Sequence, residues 1–286
     1  MTQYQTTDHH PRLGIEVHSG LDLKSLTPHQ QSHLKNTLWQ HGVAVCRNQH
    51  FTAEELEQFA ADTFGPLMFG GSRDKNAELP NELISRHVAI LGNPSGPVEK
   101  PPESVACQWH HDKDALPKLE GLEMNAPYVV MLHAHKVPDI HDEQRHSTHF
   151  LDQQEALKSL SPERQRVLKN IKLIHSPPTF GRQLSFDETP AKSHPLISEH
   201  QFTAEKNLYM GSDTAIPVGS EDDPESAKAF WYTLLDEVLA SCNVYAHSWQ
   251  EGDIVMWDNS QVMHCGQPYD SMNQQRIALR LGVVAR

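Results

Sequence analysis

Strand-like runs stand on both sides of the helical segments in this chain, and no strand–helix–strand alternation with glycine-rich turns connects them. A doubly wound parallel sheet needs that alternation, because each parallel pair requires a long crossover. Its absence directs the chain toward a mainly β fold, an antiparallel barrel or jelly roll with helices at the periphery. Strands are expected over 42–46, within a run from Ile84 to Leu91, and over Tyr128–His133, Val244–Trp249, Asp253–Trp257 and Arg276–Val284. Helices are expected from Thr27-Pro28 to about His41, from Thr52 to Phe64, near Gln153–Leu160 and Pro162–Ile171, and from Glu225 to Cys242. Pro28 suits a first helical turn, and Thr52 with Glu55 makes a capping box.

The 286 residues accommodate one domain over 13–286, preceded by a loose polar arm over 1–12 that carries His9-His10. A formal net charge of −13 repels nucleic acid and argues against an enzyme acting on DNA. The N-terminus lacks a basic start and an apolar segment, and no apolar run reaches membrane length. Cys46, Cys107, Cys242 and Cys265 are widely spaced and form no CxxC pair, so they read as reduced thiols of a cytoplasmic protein. The irregular stretches 66–107 and 176–206 have the composition of lids or binding loops. Oligomeric state is not encoded legibly, though a homo-oligomer is compatible with the chain.

Chemistry concentrates in three places. His110-His111-Asp112 is one, and residues two apart on an extended run face the same side. His110 and Asp112 can therefore share a metal while His111 points away. His264 is the second, downstream of the buried-strand run Ile254-Val255-Met256-Trp257 and the turn Asp258-Asn259, which can re-aim the chain. Two imidazoles and one carboxylate on one face of an iron ion leave the opposite face open to oxygen and a co-substrate. Rival readings exist. His133-Ala134-His135 on a strand, with Glu143 and His264, would make a cupin-like site, although the glycine usual before such a motif is missing. His141-Asp142-Glu143 is another histidine–carboxylate pair, and HxD also arises by chance among 20 histidines. A metal-free binding scaffold with a decayed site is a further alternative.

Arg276-Ile277-Ala278-Leu279-Arg280 is the third place. A spacing of four puts both guanidinium groups on one strand face, about 13 Å apart at ~3.3 Å per residue. Facing inward, each would need an anionic partner, and a guanidinium fork matches a carboxylate. Facing solvent, they would leave Ile277 and Leu279 to point inward instead.

Taken together, Trp109-His110-x-Asp112, Thr148, the segment Gly252-Asp253-Ile254-Val255-Met256-Trp257-Asp258-Asn259 leading to His264, and then Arg276 and Arg280 resemble the TauD/TfdA family. Its members are iron(II)- and 2-oxoglutarate-dependent dioxygenases related to taurine dioxygenase. The resemblance runs from roughly His41 to Val284, includes the Val43–Gln49 strand and the Phe64-Gly65-Pro66-Leu67 helix end, and is most specific around His264. It implies a double-stranded β-helix (jelly-roll) with helices outside. It also implies that His110, Asp112 and His264 hold iron, and that Thr148 and Arg276 hold the distal carboxylate of 2-oxoglutarate. Arg280 falls where taurine dioxygenase grips its anionic substrate. The implied reaction consumes O2 and 2-oxoglutarate, releases succinate and CO2, and oxidises a small molecule, most simply by hydroxylation. Asp112 is a carboxylate, which argues against the related halogenase chemistry. This chain departs from the family at Lys113-Asp114-Ala115-Leu116, at Arg145-His146-Ser147 before Thr148, in a loop one residue longer before Arg276, and over Met68–Cys107.

Overall fold

Two hydrogen-bonded sheets facing one another position everything that follows. The computed structural model describes residues 6–8, 12–17, 21–68, 80–99, 107–112, 127–139, 146–175 and 192–284. The first half contains β1 (Thr6–Asp8), β2 (Ile15–Val17), α1 (Pro28–His41), β3 (Val43–Cys46), α2 (Ala53–Phe64), β4 (Ala89–Gly92) and β5 (Pro127–Lys136). The middle contains β6 (Ser147–Asp152), α3 (Gln153–Ser159), α4 (Pro162–Leu168), β7 (Lys172–His175), β8 (Lys192–Pro195), β9 (Ile197–Glu199), β10 (Lys206–Leu208) and β11 (Ile216–Pro217). The chain closes with α5 (Pro224–Leu239), β12 (Val244–Ser248), β13 (Ile254–Asp258), β14 (Val262–Gly266) and β15 (Ile277–Val284).

The larger sheet has seven strands in the order β1-β2-β3-β13-β5-β15-β4, and the smaller facing sheet has the order β12-β6-β14. Every pairing in these two sheets is antiparallel except β2 with β3. Period-two alternation divides the apolar residues between two cores. Val43, Val45, Val130, Leu132, Val255, Trp257 and Ala278 face the smaller sheet, where they meet Phe150 and Val262. Ala44, Cys46, Val129, Met131, Ile254, Met256, Leu279 and Leu281 face the other way, against Leu34 and Leu38 of α1 and Leu56 and Phe59 of α2. A third core lies outside the smaller sheet, where Leu151 and Met263 pack on Ala156 of α3 and on Trp231 and Leu234 of α5.

Local chemistry sets the helix ends. Thr27 Oγ1 accepts from the Gln30 amide, and the Gln30 side chain accepts from the Thr27 amide. Thr52 and Glu55 repeat that reciprocal pair at α2. Each such cap stabilises its helix by about 1 kcal/mol. The structure differs from the expectations at several points. Thr6–Asp8, within the expected loose arm, pair antiparallel with β2, and Arg12 forms an ion pair with Asp152. Strand β4 covers only the end of the Ile84–Leu91 run; Asn81–Leu83 form a 3-10 turn ahead of that run, and the chain bends at Arg86-His87 within it. Part of the stretch expected to be irregular folds as β8 and β9. His9-His10, His141–Glu143 and Lys113–Leu116 lie outside the described residues. All four cysteines are free thiols, and no helix among the described residues is long and apolar enough to cross a membrane.

His133 lies on the helix-side face of β5, 2% exposed, with its Nε2 2.8 Å from the Gln49 carbonyl. Burial pushes its pKa down from 6.5 to about 4, against the opposite pull of that carbonyl. Between those two values the unfolded chain binds the extra proton, so stability is lost as pH falls through the window. Chemical denaturation should show wild-type protein losing up to about 3 kcal/mol more than His133→Gln between pH 6.5 and 4. Equal losses in both proteins contradict the assignment.

Candidate active site

One turn makes the site possible. At the end of β13 the chain leaves the larger sheet, reverses, and enters the smaller sheet as β14. Asp258 Oδ1 accepts from the amide and hydroxyl of Ser260, at 3.0 and 2.6 Å, and its Oδ2 lies 2.6 Å from His200 Nε2. The Gln261 amide closes the turn on the Asp258 carbonyl at 3.1 Å. The expected re-aiming at Asp258-Asn259 is therefore what the chain does. His264 follows on β14, on the inward face shared with Val262 and opposite Phe150 of β6.

His110 is not on a regular strand. It forms an isolated antiparallel bridge with His264, with both amide-to-carbonyl distances at 3.0 Å. That bridge brings the two imidazoles to a ring separation of 4.2 Å. His110 Nδ1 lies 2.7 Å from the Gln108 carbonyl, which makes it the donor and leaves Nε2 as the ligating atom. Two residues on, Asn259 holds the Asp112 backbone at both ends: its Oδ1 accepts from the Asp112 amide at 2.8 Å, and its Nδ2 donates to the Asp112 carbonyl at 2.9 Å. His111 points away as expected, toward the ring of Tyr209 at 4.6 Å.

One ligand atom from each of His110, Asp112 and His264 lies within 4.8 Å of the others. His264 Nε2 is 3.7 Å from Asp112 Oδ2, and Arg280 Nη2 is 2.9 Å from Asp112 Oδ1. Burial alone would raise the Asp112 pKa, but Arg280, then His264 and His110, outweigh it and hold the carboxyl well below the usual range. Burial and the neighbouring His110 push His264 well below its ordinary value, against the pull of Asp112. The carboxylate is thus ionised and the His264 imidazole neutral at neutral pH, the forms that bind a cation. Asp112 Oδ2 is buried and accepts no hydrogen bond among the described residues, so the donor set fits a divalent ion.

Arg280 shares the inward face of Ala278 on β15, and Arg276 immediately precedes that strand, close to His146 and Tyr269. The solvent-facing alternative fails because β15 is buried along its whole length, and Ile277 and Leu279 face the helices instead. Arg276 sits beside His146, whose pKa is pushed down to about 3 by burial, then Arg276 and His247. Among the described residues no carboxylate forms an ion pair with Arg276, and burial lowers its pKa from the ordinary value. Its backbone is fixed by Asn93. The Asn93 amide donates to the Arg276 carbonyl at 3.0 Å, and Asn93 Oδ1 accepts from the Arg276 amide and the Tyr269 hydroxyl, each at 2.8 Å. Gly92 next to it has φ +103°, and a Cβ there would stand 2.2 Å from the Arg276 carbonyl oxygen. Thr148 lies on the inward face of β6, where its Oγ1 accepts from Trp249 Nε1 at 3.0 Å. His133 is on the opposite face of the larger sheet, 6.3 Å ring to ring from His135, and its Nε2 is engaged by Gln49. The structure does not bring His133 together with His264, which removes the cupin arrangement. Sequence reasoning missed Asn93, and it placed Asn259 only in the turn, without its hold on the Asp112 backbone. The available signal was a single amide placed immediately after an apolar strand.

Facing sheets that converge two imidazoles and one carboxylate at an inward, arginine-lined end define a mononuclear non-haem iron oxygenase. The chain belongs to the family described as taurine catabolism dioxygenase TauD, TfdA family, whose sequence profile matches residues 5–281. It is similar to the alpha-ketoglutarate-dependent 2,4-dichlorophenoxyacetate dioxygenase of Burkholderia sp. (strain RASC), at 27% identity over 90% of this chain and 88% of that protein. It is also similar to the (S)-phenoxypropionate/alpha-ketoglutarate-dioxygenase of Sphingobium herbicidovorans, at 24% identity over 91% of this chain and 88% of that one. A crystal structure of a taurine dioxygenase from Burkholderia xenovorans shares the fold, with a TM-score of 0.76 at 20% identity, covering 99% of this chain and 90% of that one. The protein is therefore an oxidoreductase that uses Fe(II), 2-oxoglutarate and O2.

Asn93→Ala should raise the KM for 2-oxoglutarate by about 10-fold and leave kcat at saturation nearly unchanged, because the loop carrying Arg276 loses its anchor. Steady-state succinate release read against 2-oxoglutarate concentration measures this, and an unchanged KM contradicts it.

Proposed function

We propose that this chain oxidises, most simply by hydroxylation, a small substrate bearing a carboxylate or sulfonate, with His110, Asp112 and His264 holding the iron. The observation that carries this reading is the pair of arginines at β15, Arg280 on the strand beside Asp112 and Arg276 immediately before its start. A half-buried guanidinium with no carboxylate partner among the described residues suits an anion. Arg276 is assigned to the distal carboxylate of 2-oxoglutarate, with Thr148 as hydroxyl donor from the facing sheet. Arg280 is assigned to the anionic group of the primary substrate. A guanidinium has five N–H donors, so its contact with Asp112 leaves others for a ligand. The two relatives named above act on aryloxy-carboxylates, which supports an organic anion as substrate.

When bound, iron and the keto acid together supply the oxidising equivalent from O2 and yield succinate and CO2. The protein's own part is binding, orientation and exclusion of water. Trp257, 4.8 Å ring to ring from His264, and Phe150, at 6.2 Å, form an apolar wall behind that ligand. This wall keeps the imidazole neutral and correctly turned. A decayed scaffold would have lost a ligand, whereas here all three converge. A jelly-roll core within one domain over 13–286 accords with the two facing sheets, and a cytoplasmic setting with the four free thiols.

A screen of carboxylates and sulfonates for succinate release, at saturating iron, tests the reading. With the substrate so found, Arg276→Ala should raise the 2-oxoglutarate KM at least about 10-fold. Arg280→Ala should raise the KM of the primary substrate and leave that of 2-oxoglutarate nearly unchanged. Equal effects of both variants on both KM values reject the division of labour.

A further inference from the structure

Asp112 is the metal ligand with the least regular support. It lies in the short run 107–112, outside every strand, while His264 is on β14. Asn259 fixes the Asp112 main chain on both sides, but that leaves the carboxylate free to rotate. One described cation meets the carboxylate, by an ion pair and not by an aligned hydrogen bond: Arg280 Nη2, 2.9 Å from Oδ1. The other oxygen, Oδ2, is turned toward His264 Nε2 at 3.7 Å and is buried without a hydrogen-bond partner among the described residues.

We propose that Arg280 is a positioning residue for the metal site: it occupies Oδ1 of Asp112, so that Oδ2 alone is presented to the ion. This inference rests on the metal-site reading above and adds a second task to a side chain assigned there to substrate. Arg280 suits the task because its backbone is rigid. Strand β15 is paired on one side with β5 and on the other with β4, and Arg280 stands opposite Leu132 and Ala89 in the two registers. A residue clamped in a ladder thereby orients one that has no ladder. The arrangement also answers an electrostatic question. A guanidinium beside a dication is repelled by it, and Arg280 is buried to 8% exposure. Its retention there makes sense when the Asp112 carboxylate lies between the two cations and binds both. An ion pair that holds one oxygen restricts the carboxylate to single-oxygen coordination and keeps the face opposite the protein ligands open. The same guanidinium then links metal and substrate, because an anion that engages its remaining N–H groups adjusts the partner of the metal ligand.

Metal binding without turnover tests this. Mn(II), which needs no exclusion of oxygen, is titrated calorimetrically into the full chain as wild type, Arg280→Met, Arg280→Lys and His264→Ala, with each fold checked by circular dichroism. Arg280→Met should weaken Mn(II) binding by about 10–100-fold, the scale expected when a partner that orients a metal ligand is removed. Arg280→Lys should recover part of the loss, since a point charge can pair with one oxygen but lacks the fork. The electron paramagnetic resonance spectrum of bound Mn(II) should change in Arg280→Met and return toward wild type in Arg280→Lys. Both Arg280 variants binding Mn(II) as tightly as wild type, or more tightly, with an unaltered spectrum, overturns the inference alone. Wild type binding no better than His264→Ala overturns the metal-site reading, and the inference with it.

Discussion

Everything in the site hangs on a two-hydrogen-bond bridge between His110 and His264. These residues are 154 positions apart by number, and nothing else in the described backbone pairs the segment 107–112 with a strand. The bridge fixes one ligand relative to the other through the main chain, the stiffest connection available to a protein. Asn259 then extends that control to Asp112, because its amide sits at the turn that sends the chain from β13 into β14. The residue that redirects the chain toward His264 is thus the residue that anchors the opposing ligand. Distortion of this turn moves all three ligands at once.

Burial on both faces of the larger sheet shapes the second half of the site. With helices α1 and α2 on one side and the smaller sheet on the other, β15 has no solvent-facing row. Arg280 must then be enclosed whichever face it occupies, while Arg276, just before the strand, is half-buried. The inward face gives Arg280 a carboxylate, and Arg276 lies near His146 with no carboxylate paired to it among the described residues. Such placement is expensive without partners and useful with them, which is the usual relation between buried charge and function. Elsewhere the same cost is met inside the fold. Asp253, at the start of β13, accepts from Arg47 at 2.6 Å and from the Gln250 amide at 2.8 Å, and lies 3.1 Å from His247.

Much of this was legible in the residues. The strands β3, β5, β12, β13 and β15, and the helices α1, α2 and α5, followed from apolar runs, capping boxes and proline positions. The convergence of His110, Asp112 and His264 was legible because HxD, a distant histidine and an arginine pair at strand spacing form a chemical set. Two of the three strands of the smaller sheet, β6 and β14, were harder to read. Ser147-Thr148-His149-Phe150-Leu151-Asp152 and Val262-Met263-His264-Cys265-Gly266 mix polar and apolar residues on two faces that are both covered, so alternation is blurred. The choice between inward and outward arginines had no answer in the sequence either. It assumed that one face of the strand meets water, and here neither does. Asn93, and the bonds of Asn259 to Asp112, stayed invisible because an amide that holds backbone looks, in sequence, like any turn residue.

The central claim is that His110, Asp112 and His264 share one ion. Anomalous diffraction from crystals grown with Mn(II) tests it most directly. The account predicts a single strong peak per chain, within bonding distance of the two Nε2 atoms and of Asp112 Oδ2. A peak at His133 and His135, or one that touches His264 without Asp112, contradicts it.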